Sequence, residues 1–396
     1  MIIKESFLIA EGLEVKCQNL HPLQPFVLKI ETQDDMGRIW QTERNLQTDA
    51  TGKYEIKESN EDLMGILTMT ESENPNPYFF YKADSEPVNL TISLSDENGT
   101  IEKKTIRMLF YQTDTEVESI NDPFFGKFFK CPINDPKGSV IVLGGSSGGL
   151  FWSEQAAAFL SSIGYNTLAV NYFDRGNSDL PDELVEIELE SLSNAHNWLI
   201  EEKEINPKNI HLMGISKGAE MAMSYAALSD FSFRSIVAFV PSSHVFEGIS
   251  FKGIKNKSSW RYTGKAVSFL RYPPEVSFSM MSNPEDIRKA HDLALEQADP
   301  ETLERARIKA ENIQSPVLII SGSKDCTWNS QRMGDFLIKQ IKQTNPDTLS
   351  KHINFERMGH TFFLPHFPPI VDNPSVRVEE ALDANKRAWK EIIRFL

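Results

Sequence analysis

Gly214-Ile215-Ser216-Lys217-Gly218 constrains this chain more than any other stretch. It lies between the strand-like Asn209-Ile210-His211-Leu212-Met213 and the helix-like Ala219-Glu220-Met221-Ala222-Met223. A strand, then Gly-x-Ser-x-Gly, then a helix is the nucleophile elbow of an α/β-hydrolase. There the glycines permit a sharp turn that lifts a serine hydroxyl above the sheet edge, at the start of the next helix.

A second copy of the pattern, Gly145-Ser146-Ser147-Gly148-Gly149, also follows a strand-like run and precedes a helix-like one. Chain order separates the two. The first copy follows Val140-Ile141-Val142-Leu143, the first strong strand of its region, where this fold carries its oxyanion loop. Ser216 comes two strand–helix units later, at the elbow position. Ser216 is therefore the expected nucleophile, and Ser147 belongs to a loop suited to an oxyanion role.

The remaining strands place the partners. Pro316-Val317-Leu318-Ile319-Ile320 runs directly into Ser321-Gly322-Ser323-Lys324-Asp325, which puts Asp325 at the carboxyl end of a sheet. His352-Ile353-Asn354-Phe355 is the last strand, and Met358-Gly359-His360 follows it. Ser216, Asp325 and His360 thus fall in the order nucleophile, acid, histidine. His366, in Pro365-His366-Phe367-Pro368-Pro369, is expected as a wall of the site. His196, His211, His244 and His291 precede the acid and are expected to be structural or exposed.

The chain has 396 residues, enough for two domains. In the first 120, Leu90, Ile92 and Leu94 alternate with polar residues. The turn Glu97-Asn98-Gly99 follows, then Ile106, Met108 and Phe110: a hairpin. Asp49-Ala50-Thr51-Gly52 is another turn between short strands. An antiparallel, immunoglobulin-like β-sandwich is expected over 1–120, a linker over 121–136, and an α/β-hydrolase domain over 137–396. Helices are expected over Ser153 to Ile163, Leu184 to Glu201, and from about Val378.

A net charge of −15 argues against nucleic acid, whose phosphates need a basic surface. Cys17, Cys131 and Cys326 have no metal-ligand spacing and suit a reducing compartment. No stretch has the apolar length of a membrane span. The opening residues turn acidic too soon for a signal peptide, and the last residues are not a peroxisomal address. A cytoplasmic enzyme without metal or other cofactor is expected; its oligomeric state is not legible.

The stretch 245–313 interrupts the strand–helix alternation and reads as a lid. Between Phe251 and Pro274 it carries Lys252, Lys255, Lys257, Arg261, Lys265 and Arg271 and no acid. Such a run would attract a phosphate-rich group; a solvated basic loop accounts for it equally well. Phe269, Leu270, Phe278, Met280 and Met281 are candidates to line an acyl pocket, though core packing is their commoner fate.

Over nearly its whole length the chain resembles the acyl-CoA thioesterase / bile acid-CoA:amino acid N-acyltransferase family. Asp62-Leu63-Met64-Gly65-Ile66-Leu67 is similar to a signature of that family's sandwich. Gly148-Gly149-Leu150, Leu180-Pro181, Gly214 to Gly218, Asp325 with Trp328, and Gly359-His360 with Pro365 and Pro368 resemble its later landmarks. Family members that hydrolyse thioesters carry serine as nucleophile, and those that conjugate acyl groups to amino acids carry cysteine. The resemblance therefore implies hydrolysis of an acyl-CoA through Ser216, His360 and Asp325. The backbone N–H groups of Lys217 and Ser146 are expected to hold the oxyanion, and the basic run to meet coenzyme A. An oxyanion loop bearing Ser146 and Ser147 departs from the family's glycine-dominated form. An N-acyltransferase, a carboxylesterase and a non-catalytic binding protein are the alternatives; a binding protein would have no need of all three triad residues.

Overall fold

A computed structural model describes residues 1–56, 68–69, 78–177, 179–250, 252–283 and 286–396. The Asp62 to Leu67 signature lies outside the described residues.

The first part of the chain forms a six-stranded sheet and a separate two-stranded pair. The expected hairpin is present: Val88–Asp96 and Gly99–Leu109 run antiparallel. Its inward residues Leu90, Ile92, Leu94, Ile106 and Met108 are all buried, as alternation on a half-buried strand requires. Asp49 and Gly52 close the other expected turn, between Ile39–Gln47 and Tyr54–Ile56. Those two strands pair with different neighbours rather than with each other.

The second part is an α/β-hydrolase fold. Among the described residues its main sheet has eight strands, numbered along the chain: β1 (Glu116–Ile120), β2 (Phe125–Lys130), β3 (Ser139–Leu143), β4 (Asn166–Asn171), β5 (Ile210–Ile215), β6 (Ile236–Phe239), β7 (Val317–Gly322) and β8 (Lys351–Phe355). Their order in the sheet is β8-β7-β6-β5-β3-β4-β2-β1. β3 to β8 run parallel, and β1 and β2 form an antiparallel edge. Strands β3 to β7 are buried at every position, which a sheet covered on both faces demands. The covering helices are α1 (Phe151–Ser162), α2 (Ser191–Glu201), α3 (Lys217–Leu228), α7 (Ser330–Thr344) and α8 (Val378–Phe395). Between β6 and β7 the insertion adds the short α4 (Phe278–Ser282), α5 (Ile287–Gln297) and α6 (Pro300–Ala306).

Two expectations change. Residues 121–136, expected as a linker, carry β2, which pairs with β4 and so belongs to the catalytic sheet. The helix expected from Leu184 begins only at Ser191. Leu184, Ile187 and Leu189 are buried, with their N–H groups bonded to Ile249, Ser259 and Arg261 carbonyls of the insertion. Tertiary pairing there overrides a helix-like pattern.

One hydrophobic core runs from the first sheet into the second unit, joining Phe7, Trp40 and Phe110 to Phe159, Phe367 and Trp389. Phe80 meets Phe367 edge-on at 5.4 Å, and Tyr78 pairs its backbone with Val371. No helix among the described residues is long and apolar enough to cross a membrane.

Candidate active site

Ser216 occupies the turn between β5 and α3 with φ 55° and ψ −120°, a conformation rare for any residue but glycine. The flanking glycines serve a different purpose from the one the motif suggests: the serine itself takes the strained turn. A Cβ on Gly214 would come within 2.4 Å of the Gly218 carbonyl, and one on Gly218 within 2.1 Å of the Gly144 carbonyl. Both positions need glycine so that the start of α3 can press against the ends of β3 and β5.

His360 Nε2 lies 2.8 Å from Ser216 Oγ. Its Nδ1 lies 2.9 Å from each carboxylate oxygen of Asp325. With Asp325 accepting from Nδ1–H, Nε2 is left to accept the serine proton. Asp325 Oδ1 also accepts the Thr327 and Trp328 N–H groups, which fixes the carboxylate. The Trp328 ring stands edge-on to His360 at 5.1 Å, and its indole N–H donates to the Val240 carbonyl. Burial alone would lower the His360 pKa. The charge and hydrogen bond of Asp325, with the charge of Asp372, outweigh it and raise the pKa above the ordinary histidine value.

Ser216 and His360 open into a cavity of about 440 Å³. Its walls are mostly apolar, with Phe79, Phe151, Trp152, Ile249, Phe278 and Met281 among them. Ser146, Ser147 and Lys217 lie on the same wall as Ser216, and a Cβ on Gly145 would sit 3.4 Å from Ser216 Cβ. The loop Gly145 to Gly149 is therefore adjacent to the serine, and the Lys217 N–H heads α3, where the first turn has no intrahelical acceptor. The Lys217 side chain points away into a buried pair with Glu220, whose carboxylate also accepts from Trp260 and Ser242. Burial holds the Lys217 ammonium pKa below its ordinary value.

The insertion supplies part of the cavity, including two of the five proposed pocket residues, Phe278 and Met281. Leu270 is instead buried in a separate cluster, Phe269 packs against the core, and Met280 and His366 do not line the cavity. The basic run is largely paired. Lys252 pairs with Asp182, Lys255 with Glu183, Lys257 with Glu186 and Arg261 with Glu188. These pairs stitch the insertion to the Asp182 to Glu188 segment, so four of the six cations have acidic partners. Neither these four nor Lys265 and Arg271 lie on the cavity wall.

Several site residues escaped the sequence reading. Phe79 comes from the first unit, and nothing in a lone aromatic residue announces such a role. His291 also lines the cavity. Its Nδ1–H bonds the Ile287 carbonyl and its Nε2 accepts from Tyr272, while burial pushes its pKa down to about 4. Asp372 lies beside His360. A further Ser–His–Asp set exists in the same chain order: His352 Nε2 is 2.6 Å from Ser321 Oγ, and its Nδ1 is 2.8 Å from Asp335. Ser321 is fully buried within β7 and lines none of the cavities described.

The family model described as BAAT / acyl-CoA thioester hydrolase C terminal matches residues 187–396, more than half of the chain. The chain belongs to this family. It is 22% identical over 377 residues to acyl-coenzyme A thioesterase 6 of Mus musculus, covering 91% of this chain and 84% of that protein. Acyl-coenzyme A amino acid N-acyltransferase 1 of Mus musculus is 26% identical over 237 residues, 55% of this chain and 56% of that protein. Among solved structures, a puromycin-hydrolyzing peptidase of Mycobacterium tuberculosis aligns with 90% of this chain and 52% of its own at 13% identity and a TM-score of 0.46.

Proposed function

We propose that this protein hydrolyses an acyl-CoA to the free acid and coenzyme A by way of an acyl-enzyme on Ser216. The observation that carries the reading is the contact of Ser216 Oγ with His360 Nε2 at 2.8 Å, at the mouth of an apolar cavity. His360 takes the serine proton as the oxygen attacks the thioester carbonyl. The C–S bond then breaks, and the thiolate leaves with that proton. Water, deprotonated by the same histidine, attacks the acyl-serine and releases the acid. Asp325 holds the imidazole in the required tautomer and stabilises its charged form. The N–H groups of Lys217 and Ser146 are the proposed oxyanion donors, each of a kind typically worth roughly 10²–10³ in rate.

The apolar wall suits the acyl chain, and the insertion over 245–313 acts as the lid that completes that wall. We place the protein in a reducing compartment such as the cytoplasm, in keeping with free Cys17, Cys131 and Cys326.

The likeness to an N-acyltransferase motivates a second reading, in which an amine rather than water takes the acyl group. Serine at position 216 favours water. A panel of acyl-CoA substrates and p-nitrophenyl esters, each assayed with and without glycine or taurine, tests both. Release of free acid from acyl-CoA, unchanged by the amines, is the expected result. Conjugate formation would establish transfer, and turnover of simple esters alone would overturn the thioester reading.

A further inference from the structure

A Cβ on Gly359, the residue before the histidine, would lie 2.1 Å from Asp372 Oδ1. That carboxylate is pressed against the main chain of the histidine loop. Its Oδ1 accepts the backbone N–H of His360 at 3.2 Å, and its Oδ2 accepts the Thr361 hydroxyl at 2.7 Å. Asp372 is half-buried and lies on the wall of the cavity that holds Ser216.

The segment around Asp372 is anchored at three other points. Val371 exchanges two backbone hydrogen bonds with Tyr78, at 2.9 and 3.1 Å. Asn373 Nδ2 donates to the Lys324 carbonyl at 2.7 Å, one residue before Asp325. The Cys326 thiol approaches the Asp372 carbonyl at 3.5 Å. Three consecutive residues therefore touch the first unit, the acid loop and the histidine loop.

We propose that Asp372 is a positioning residue for His360: it fixes the histidine loop through its main chain and adds a second negative charge to steady the imidazolium. This rests on the reading of His360 as the base of an acyl transfer. The division of labour follows from geometry. Asp325 takes both oxygens to the ring nitrogen, and Asp372 takes neither, bonding instead to the backbone N–H of His360 and the hydroxyl of Thr361. A second carboxylate bonded to the ring would compete with Asp325 and rotate the imidazole away from Ser216. Bonded to the main chain, it holds the ring midway between them.

The charged and titratable groups around this pair are few. Asp325 and Cys326 face it from the acid loop, Arg288 and the neutral His291 from α5, and Lys217, already paired with Glu220, from α3. Burial raises the Asp372 pKa above the ordinary carboxylate value, and the charge of His360 and the Thr361 hydroxyl oppose that rise. Removing the Asp372 charge should therefore make the imidazole easier to deprotonate.

Three variants of the full chain test the proposal by steady-state kinetics across pH: Asp372→Asn, Thr361→Val and Gly359→Ala. For Asp372→Asn we expect kcat to fall roughly 10- to 100-fold, the scale of a sub-ångström misplacement of a catalytic group, with KM altered less than about twofold. Its acid limb of kcat/KM should move to lower pH. Thr361→Val keeps the charge, so kcat should fall with the acid limb in place. Gly359→Ala forces the carboxylate aside and should lower kcat as Asp372→Asn does; it also serves if the Asn variant does not fold. Asp372→Asn with wild-type kcat and an unmoved acid limb would overturn the proposal. So would a loss of activity explained wholly by a lower melting temperature, with the limb unmoved. If the wild-type protein cleaves p-nitrophenyl esters and not acyl-CoA, the thioester reading fails alone, and the same three variants are read on the ester.

Discussion

Arg288 of the inserted helix α5 donates through Nη1 to the main-chain carbonyl of Asp325 at 2.8 Å. The insertion is thus fastened to the acid of the site by a charge-assisted hydrogen bond, a class worth about 1.5–3 kcal/mol. Its own Nε is held by Asp292, one turn along the helix. Arg288→Ala should lower kcat/KM roughly tenfold, equivalent to about 1.4 kcal/mol of transition-state stabilisation. Arg288→Lys, which can still reach a carbonyl, should recover part of the loss. Steady-state kinetics on the two variants give the answer, and wild-type rates in Arg288→Ala would mean that the acid loop stands without this tie.

Ser216→Ala should abolish turnover, and Ser147→Ala should retain measurable activity. A fluorophosphonate probe discriminates further. It should label the wild-type protein at Ser216 and leave Ser216→Ala unlabelled, at Ser147 and at Ser321 alike, because a buried hydroxyl such as that of Ser321 cannot be reached. Peptide mapping of the labelled site is the measurement, and label on Ser147 or Ser321 would displace Ser216 as nucleophile.

The pH dependence follows from His360. A general base must be neutral, so kcat/KM rises as pH passes upward through its pKa. That pKa is raised, which moves the acid limb upward from the ordinary histidine value. Asp325→Asn removes the largest raising influence, so the limb should move to lower pH while kcat falls by several orders of magnitude. His291, at about 4, stays neutral over the assay range and contributes no second limb there. A limb unmoved by Asp325→Asn would point to another titrating group.

The basic residues of the insertion should matter little to substrate affinity. Replacing Lys252, Lys257 and Arg261 together by Gln should leave KM for an acyl-CoA within about twofold, since exposed ion pairs are weak and these lie off the cavity. Added salt should likewise have a small effect. A KM that rises for acyl-CoA and not for a neutral ester of the same acyl chain would restore the run as a phosphate-attracting surface.

Much of the catalytic sheet was legible because its strands are short apolar runs, each closed by a helix, and because β5 ends in an elbow motif. The grouping of Ser216, Asp325 and His360 was legible through position in that series. Order alone would not have sufficed, for Ser321, Asp335 and His352 repeat it; the cavity beside Ser216 and the burial of Ser321 separate the two sets. Asp372, Arg288 and Phe79 carried no signal, because each acts through a contact between segments remote in sequence. The pairing of the basic run was hidden for a related reason. A window of 24 residues without an acid hides the acids at Asp182, Glu183, Glu186 and Glu188 that pair with it from far along the chain.

The shared core has a consequence for anyone who would treat the two units as interchangeable parts. Severing the first unit would strip Tyr78 and Phe80 from Val371 and Phe367, and would remove Phe79 from the wall of the cavity. The remaining half would present a raw aromatic face to water beside its own reaction centre. A chimaera with a relative's first unit would have to carry over the matching faces of both partners, since the seam that joins the two units also lines the cavity beside Ser216.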